Sequence, residues 1–589
     1  MKMNKEFINN LSGKIQELII TDIKKNSGYI KGNLSSSALA TAVAVCALYC
    51  INKNKNSKYI ERGLVWLNKT MLEDGGWGDS SESQSNITAT ILTYAAIKKC
   101  ADNIKFDLEK TETYIKNYFG GITPEKIYNG IIKIYGNDKT FSVPILAMCA
   151  ICGILGKEDT AWKYVARLPY EAALLPQNFF KYLKLPVVSY AIPALISIGI
   201  LKHKKNAEGN INFVSKKIIA KCLKNLFDIQ PENGGFLEAI PLTSFTSMCL
   251  SEAGYRKHKI VEKCEEFIIN GMREDGCFPI DTDLNNWLTC LGSQAIIDSE
   301  NLSEELKKQI IDFIKNNQFK IKHKFTGSLP GGWGWTDKPG SVPDADDTAA
   351  ALCALKKFEY KYDIVIENGV NWLINLQNND GGIPTFCRGW SNLPFDRSCA
   401  DISAHSLKAL SLWQNNLSSN LKKKCEIAIS KILEWLAKTQ HKDGYWLPLW
   451  FGDQDTYDYS APVYGTALVV EYIAEFIKSD YKKMLDRAVA YLICAQNQDG
   501  GWGGGKNSPS KFIYTAKAVL ALCLYSENND AIKNGTDFLI KKYQNNYLNK
   551  PEPIGLYFAK LWYSENMYNK IFFLNTLNFL KNRLEIVNR

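Results

Sequence analysis

The stretch "AVAYLICAQNQDGGWGG", Ala488 to Gly504, carries apolar residues at helical spacing as far as Gln496, then a polar turn with two glycines, then a tryptophan. The pattern returns along the chain: "LEDGGWGD" at Leu72, "PENGGFLE" at Pro231, "REDGCFPI" at Arg273, "LPGGWGWTD" at Leu329, "NNDGGIPTF" at Asn378 and "HKDGYWLP" at His441. Gly331, Gly381, Gly444 and Gly500 follow one another at intervals of 50, 63 and 56 residues, room for one helix pair per repeat. Glycine permits the left-handed turn that ends a helix, and an aromatic ring can cover the exposed helix end. The repeat is therefore a helical hairpin with a stapled turn, and its copies stack their apolar faces on one another. Periodicity alone leaves an open solenoid and a closed double ring of helices equally available.

At 589 residues, with 46% hydrophobic and 12% aromatic residues, the chain is long enough for two large domains with substantial cores. The formal charge of +10 is spread out. Its densest stretch, "KNNQFKIKHK" from Lys315 to Lys324, reads first as solvated helix faces, and weak attraction to an anionic membrane surface is the alternative. No basic motif of a nucleic-acid-binding module accompanies the charge, so nucleic acid is not expected as a partner. The 16 cysteines sit mostly in apolar helical contexts and read as reduced core residues of a cytoplasmic protein. Cys149 and Cys152 have metal or redox half-site spacing, but the sequence offers no second pair or nearby histidine, so no metal and no cofactor is expected. The N-terminus lacks the sustained apolar core of a secretory signal. The uncharged run "LPVVSYAIPALISIGIL", Leu185 to Leu201, contains Pro186 and Pro193 and suits a buried helix or a one-sided membrane contact better than a span.

"GSVPDADDTAAALCAL", Gly340 to Leu355, places Asp344, Asp346 and Asp347 just before a strong helix-former. The helix dipole favours acid at that position, so an over-supplied N-cap is the plain reading. About 55 residues on, "RSCADISAHSLKAL" sets Asp401 and His405 four apart, where their side chains can touch on one helical face. The chain has only five histidines, and one backed by a carboxylate suits a polar network.

These features together resemble the squalene–hopene cyclase family. The repeated turns are similar to its QW repeats, "DADDTA" to its Asp-x-Asp-Asp-Thr-Ala signature, "DISAH" to its Asp-x-x-Ala-His, and "YWLPLWFGDQ…VYGTALVV" to its Trp followed by Tyr-Gly-Thr-Gly/Ala. The likeness covers nearly the whole chain. It implies an all-α class II terpene cyclase of two α/α barrels, with residues 1–27 plus 284–589 forming the acid-bearing barrel and 28–283 the other. It implies that Asp346 donates a proton to the terminal alkene of a linear polyprene, squalene first, with a hopene-like product. Asp344 and Asp347 then hold waters or share charge, and Asp401 orients and charges His405. Trp335, Phe386, Trp450, Trp287, Tyr190 and Tyr563 are the matching cation-stabilising positions. A peripheral contact with the inner face of the cell membrane is implied as well, and pairing of two copies is compatible with it.

The residue types suit that chemistry on their own account. An alkene is a poor base, so its acid must keep a proton at neutral pH and yet leave a stabilised carboxylate. Crowded carboxyls supply the first property and an imidazole donor the second. A migrating cation needs aromatic faces, worth about 0.5 to 2 kcal/mol each, rather than nucleophiles.

The chain also departs from the family, with Phe386 where tyrosine is usual, Tyr190 where tryptophan is, and Leu556 and Lys560 where phenylalanine and tyrosine are. These departures leave room for a C35 or diphosphate-bearing polyprene. A zinc-dependent prenyltransferase-like ring and a non-catalytic lipid-binding toroid are the other readings compatible with the architecture.

Overall fold

A computed structural model describes residues 5–101, 104–136, 139–176, 192–206, 212–386, 396–477, 479–556 and 560–587. Two kinds of helix alternate along it. Helices such as Ala38–Asn52 and Ala345–Lys357 are buried on nearly every side, which their small and apolar residues allow. Helices such as Glu304–Asn316 bury one stripe, Leu306, Ile310 and Ile314, and turn lysine and glutamate to solvent.

The buried helices close two rings. In the first, Ala38–Asn52, Ile87–Cys100, Lys139–Ile151, Ile192–Asn206 and Ile240–Leu250 pack in that order, and the last returns to the first. In the second, Asn285–Ile296, Ala345–Lys357, Ala400–Trp413, Pro462–Ile473, Phe512–Tyr525 and Tyr568–Val587 do the same. Amphipathic helices form the outer layer of each, and Lys5–Lys25 packs against the ring closure of the second. This is the expected pair of α/α barrels. Each barrel has its own hydrophobic core, and Trp335 and Trp450 pack against both.

The repeated turns join outer to inner helices by one scheme. Gln318, Gln377, Gln440 and Gln496 each donate from Nε2 to the carbonyl of the turn glycine, Gly331, Gly381, Gly444 or Gly500, and to a carbonyl of the next outer helix. The indoles of Trp77, Trp333, Trp446 and Trp502 donate to carbonyls at the ends of the preceding outer helices. Gly500 has φ +85°, and a Cβ there would lie 2.6 Å from the Asn534 carbonyl oxygen, so the residue is fixed by both conformation and space.

No described helix is long and apolar enough to cross a membrane. Within the uncharged run noted above, Ile192–Leu201 lies in a buried inner helix of the first barrel. Among the described cysteines most are buried and none is in a disulfide. The Cys152 thiol lies 3.4 Å from Cys46, a neighbour the sequence could not supply.

Candidate active site

The turn scheme places the acid cluster. The backbone N–H of Trp333 donates to Thr348 Oγ1 at 3.0 Å, and the Asp344 N–H returns a bond to the Trp333 carbonyl at 2.9 Å. The threonine of "DADDTA" thus locks the helix Ala345–Lys357 to its turn. Thr466 and Ser403 hold the backbone N–H of Trp446 and Ile383 in the same way, which fixes the helices Pro462–Ile473 and Ala400–Trp413 beside it.

Asp344 is the N-cap, with extended backbone (φ −134°, ψ 168°) and an oxygen accepting the Asp347 N–H at 2.9 Å. Asp344 and Asp347 are buried, while the Asp346 side chain keeps 19% of its surface accessible. Burial pushes the Asp344 carboxyl up to about 7 against the hydrogen bonds it accepts from Asp347. Burial, followed by the charge of Asp344, holds Asp347 well above the carboxylate range. Two buried carboxyls this close resist carrying negative charge together. Asp347 Oδ1 has no hydrogen-bond partner.

Asp346 pairs with the neighbouring helix. His405 Nδ1 lies 2.6 Å from its Oδ1. Desolvation works against an imidazolium in this buried place, yet the bonds to Asp346 and Cys353 overcome it and raise His405 to about 9. The ring is held flat against Tyr472, with centroids 4.2 Å apart at 8°, and edge-on to Trp287 at 6.2 Å.

Asp401 departs from expectation. It lies four residues before His405, but its carboxylate accepts the Cys399 thiol at 2.5 Å, and His405 reaches across the helix interface to Asp346 instead. Spacing of four permits contact within a helix, and a partner on the next helix wins here. Asp401 still belongs to the cluster: burial, then the charge of Asp346, pushes it up to about 7.

The other expected positions gather near this site. Trp335, Phe386 and Trp450 form an edge-to-face row with centroid separations of 6.4 and 5.6 Å. The Trp335 carbonyl accepts the Trp287 N–H at 3.1 Å, and the Tyr563 phenol, pushed up by burial, feels the charge of Asp346. Tyr190 lies outside the described residues. Lys560 sits at the turn between the strands Ile554–Leu556 and Leu561–Tyr563 with φ +52°, and its ammonium lies 5.7 Å over the Tyr459 ring.

Two neighbours escaped the sequence reading. Cys353 stands seven residues after Asp346, two turns along the same helix face, and Tyr472 stands eight after Tyr464 of the quoted "VYGTALVV" segment. Helical spacing carried both signals. Among the described residues no group of three or more His, Cys, Asp or Glu is arranged to hold a metal ion.

Residues 285–582, half of the chain, match the family model of the squalene–hopene cyclase C-terminal domain. The chain belongs to the squalene–hopene cyclase family. Residues 2–128 match the prenyltransferase α/α toroid domain. The squalene–hopene cyclase of Bradyrhizobium diazoefficiens is 25% identical over 47% of this chain and 45% of its own length. The squalene–tetrahymanol cyclase of Tetrahymena thermophila is 23% identical over 67% of this chain and 63% of its own. The chain thus spans less than half of the first relative and under two thirds of the second. The solved structure of ent-copalyl diphosphate synthase from Streptomyces platensis covers 98% of this chain and 99% of its own, with a TM-score of 0.57 at 16% identity, a likeness of fold.

Proposed function

We propose that this chain is a class II terpene cyclase that protonates the terminal alkene of a linear polyprene, squalene first, and guides cationic ring closure to a hopene-like product. The observation that carries this is the Asp346–His405 pair, a partly accessible carboxyl bonded to a buried imidazole at 2.6 Å.

In this reading the hydrocarbon covers the accessible part of Asp346 and brings its terminal alkene against the carboxyl. Asp344, Asp347 and Asp401 crowd the same site and oppose a further negative charge. Asp346 gives its proton to the alkene CH carbon, whose π pair forms the new C–H bond. The imidazolium of His405 stabilises the carboxylate left behind. The cation then passes the faces of Trp335, Phe386, Trp450, Trp287 and Tyr563, which attract charge without forming a bond to it.

Loading from a membrane surface on the cytoplasmic side belongs to the same proposal. Its support is a cavity of about 630 Å³ lined by Leu174, Leu175, Ile192 and Ile229, with Lys322 and Lys324 on its wall and Ile321 70% exposed beside them. Flotation with anionic vesicles tests it, and protein left wholly at the bottom of the gradient would remove it.

The reaction is tested by incubating purified protein with squalene, a C35 polyprene and a C20 polyprenyl diphosphate, followed by mass spectrometry of the products. Cyclic product from squalene supports the reading. Cyclic product only from another chain moves the substrate, and zinc-dependent transfer of a prenyl group would establish the prenyltransferase alternative. Binding of all three chains without turnover would leave a lipid-binding toroid.

A further inference from the structure

His405 has two carboxyls to choose between. Asp401 stands four residues before it on the same helix, where side chains meet, while Asp346 stands on the neighbouring inner helix. The Asp401 carboxylate accepts the Cys399 thiol, a weak donor that an imidazolium would displace. The imidazole turns about its Cβ–Cγ bond over a broad range of angles, so its own torsion does not fix the ring plane. Packing has to fix it.

That packing comes from a third inner helix, Pro462–Ile473. Tyr472 lies parallel to the imidazole, with centroids 4.2 Å apart at 8°, and both residues are buried. Turning the imidazole out of this plane drives its edge into the Tyr472 ring. The ring nitrogens lie in the plane, so the direction of Nδ1 is set with it and ends on Asp346 Oδ1 at 2.6 Å. Trp287 stands edge-on at 6.2 Å and limits the remaining freedom. The Tyr472 face also carries negative potential, so it favours the imidazolium in a place where burial opposes charge.

The charged and titratable groups around the ring do not supply this orientation. Asp346 and Cys353 face it from the helix Ala345–Lys357, and Asp401 and Lys408 belong to its own helix. The Lys408 ammonium lies 5.5 Å from the Tyr472 centroid, and Glu471, next to Tyr472, accepts the Lys517 ammonium at 2.9 Å. These charges attract or repel the imidazolium, whereas the stack sets its plane.

We propose that Tyr472 is a positioning residue of the cyclisation: its face holds His405 so that the imidazolium meets Asp346 rather than Asp401, and so decides which carboxyl of the cluster serves as the acid. The proposal rests on the cyclase reading above. Acting through His405, Tyr472 governs the first proton transfer and not the course of the later cations.

The experiment measures kcat, KM and product ratio on the cyclised polyprene for wild type, Tyr472→Leu, Tyr472→Met and Tyr472→Phe, each also in the His405→Phe background, with helical circular dichroism as the check on folding. Leucine and methionine fill the space without an aromatic face. Each is expected to lower kcat at least about tenfold with KM and product ratio unchanged. Tyr472→Phe restores the face and recovers the wild-type kcat. In the His405→Phe background the leucine and methionine variants are expected to add no further loss, since the group they act through is gone. A merely structural role lowers the rate in both backgrounds.

NMR of 13C-labelled histidine gives a readout free of turnover. The His405 signal is the one of five that His405→Phe removes. It is expected to titrate at about pH 9 in wild type and Tyr472→Phe, and at least about one pH unit lower in Tyr472→Leu. Additive losses in the two backgrounds overturn the proposal, as does a Tyr472→Phe as slow as Tyr472→Leu, or a His405 titration that the leucine variant leaves in place. Wild type that forms no cyclic product overturns the cyclase reading, and the histidine titration then decides on its own whether Tyr472 holds the imidazolium.

Discussion

His405 Nδ1 meets Asp346 Oδ1 at 2.6 Å between two neighbouring inner helices, Ala345–Lys357 and Ala400–Trp413. An ion pair of this kind normally commits its carboxyl to the charged state. Here three further carboxyls, Asp344, Asp347 and Asp401, surround it and are themselves pushed up by burial. The site is therefore rich in protons and has one strong cationic donor, a combination that suits delivery of a proton to a weak base.

Replacing His405 by phenylalanine keeps the stack on Tyr472 and removes the donor. Turnover is expected to fall by roughly 10² to 10⁴, with the same products in the same ratio, because His405 contacts the acid and not the later cations. Steady-state rates with product chromatography check both halves.

The same histidine sets a pH dependence. Its pKa is raised from the ordinary 6.5 to about 9 in the folded chain. The associated stability is fully present below pH 6.5, declines as pH rises through 9, and corresponds to roughly 3 kcal/mol at about 1.4 kcal/mol per unit. The melting temperature of wild type should fall between pH 6.5 and 9.5 more than that of His405→Phe, as followed by circular dichroism.

Glycine positions separate turns from helix faces. Gly500→Ala forces a Cβ to within 2.6 Å of the Asn534 carbonyl at φ +85° and is expected to cost roughly 1–3 kcal/mol. Gly13→Ala, in the outer helix Lys5–Lys25 with nothing within 4 Å, is expected to be neutral or to stabilise by up to about 1 kcal/mol. Thermal melts of the two variants check the contrast.

Lys560→Tyr is expected to leave rate and products unchanged. The ammonium rests over the Tyr459 ring, which meets Trp562 at 5.5 Å. More rings in the product would instead place this residue in the reaction space.

The hairpin repeat was legible because its determinants are close in sequence: the glutamine reaches the carbonyl of the turn glycine four residues on in three of the four repeats, and the tryptophan returns to the helix just before it. The acid helix was legible for the same reason, since Asp344 caps it within one turn. Pairings across helices were not. Asp401 and His405 share a helix in sequence, but which of them meets Asp346 depends on how two inner helices rotate against each other, and no spacing encodes that. Tyr190 falls outside the described residues, so its place in the aromatic wall rests on resemblance alone.

The most direct measurement of the central claim is the conversion of the polyprene in D2O by wild type and by Asp346→Asn, an amide of nearly the same shape that has no proton to give. Wild type should yield a cyclic product heavier by one mass unit, with a single deuterium on the ring carbon that was the terminal alkene CH. Asp346→Asn should yield none, a loss of at least about 10³-fold, with its helical circular dichroism intact. Cyclic product from the folded variant at the wild-type rate, or wild-type product without deuterium at that carbon, would contradict Asp346 as the acid.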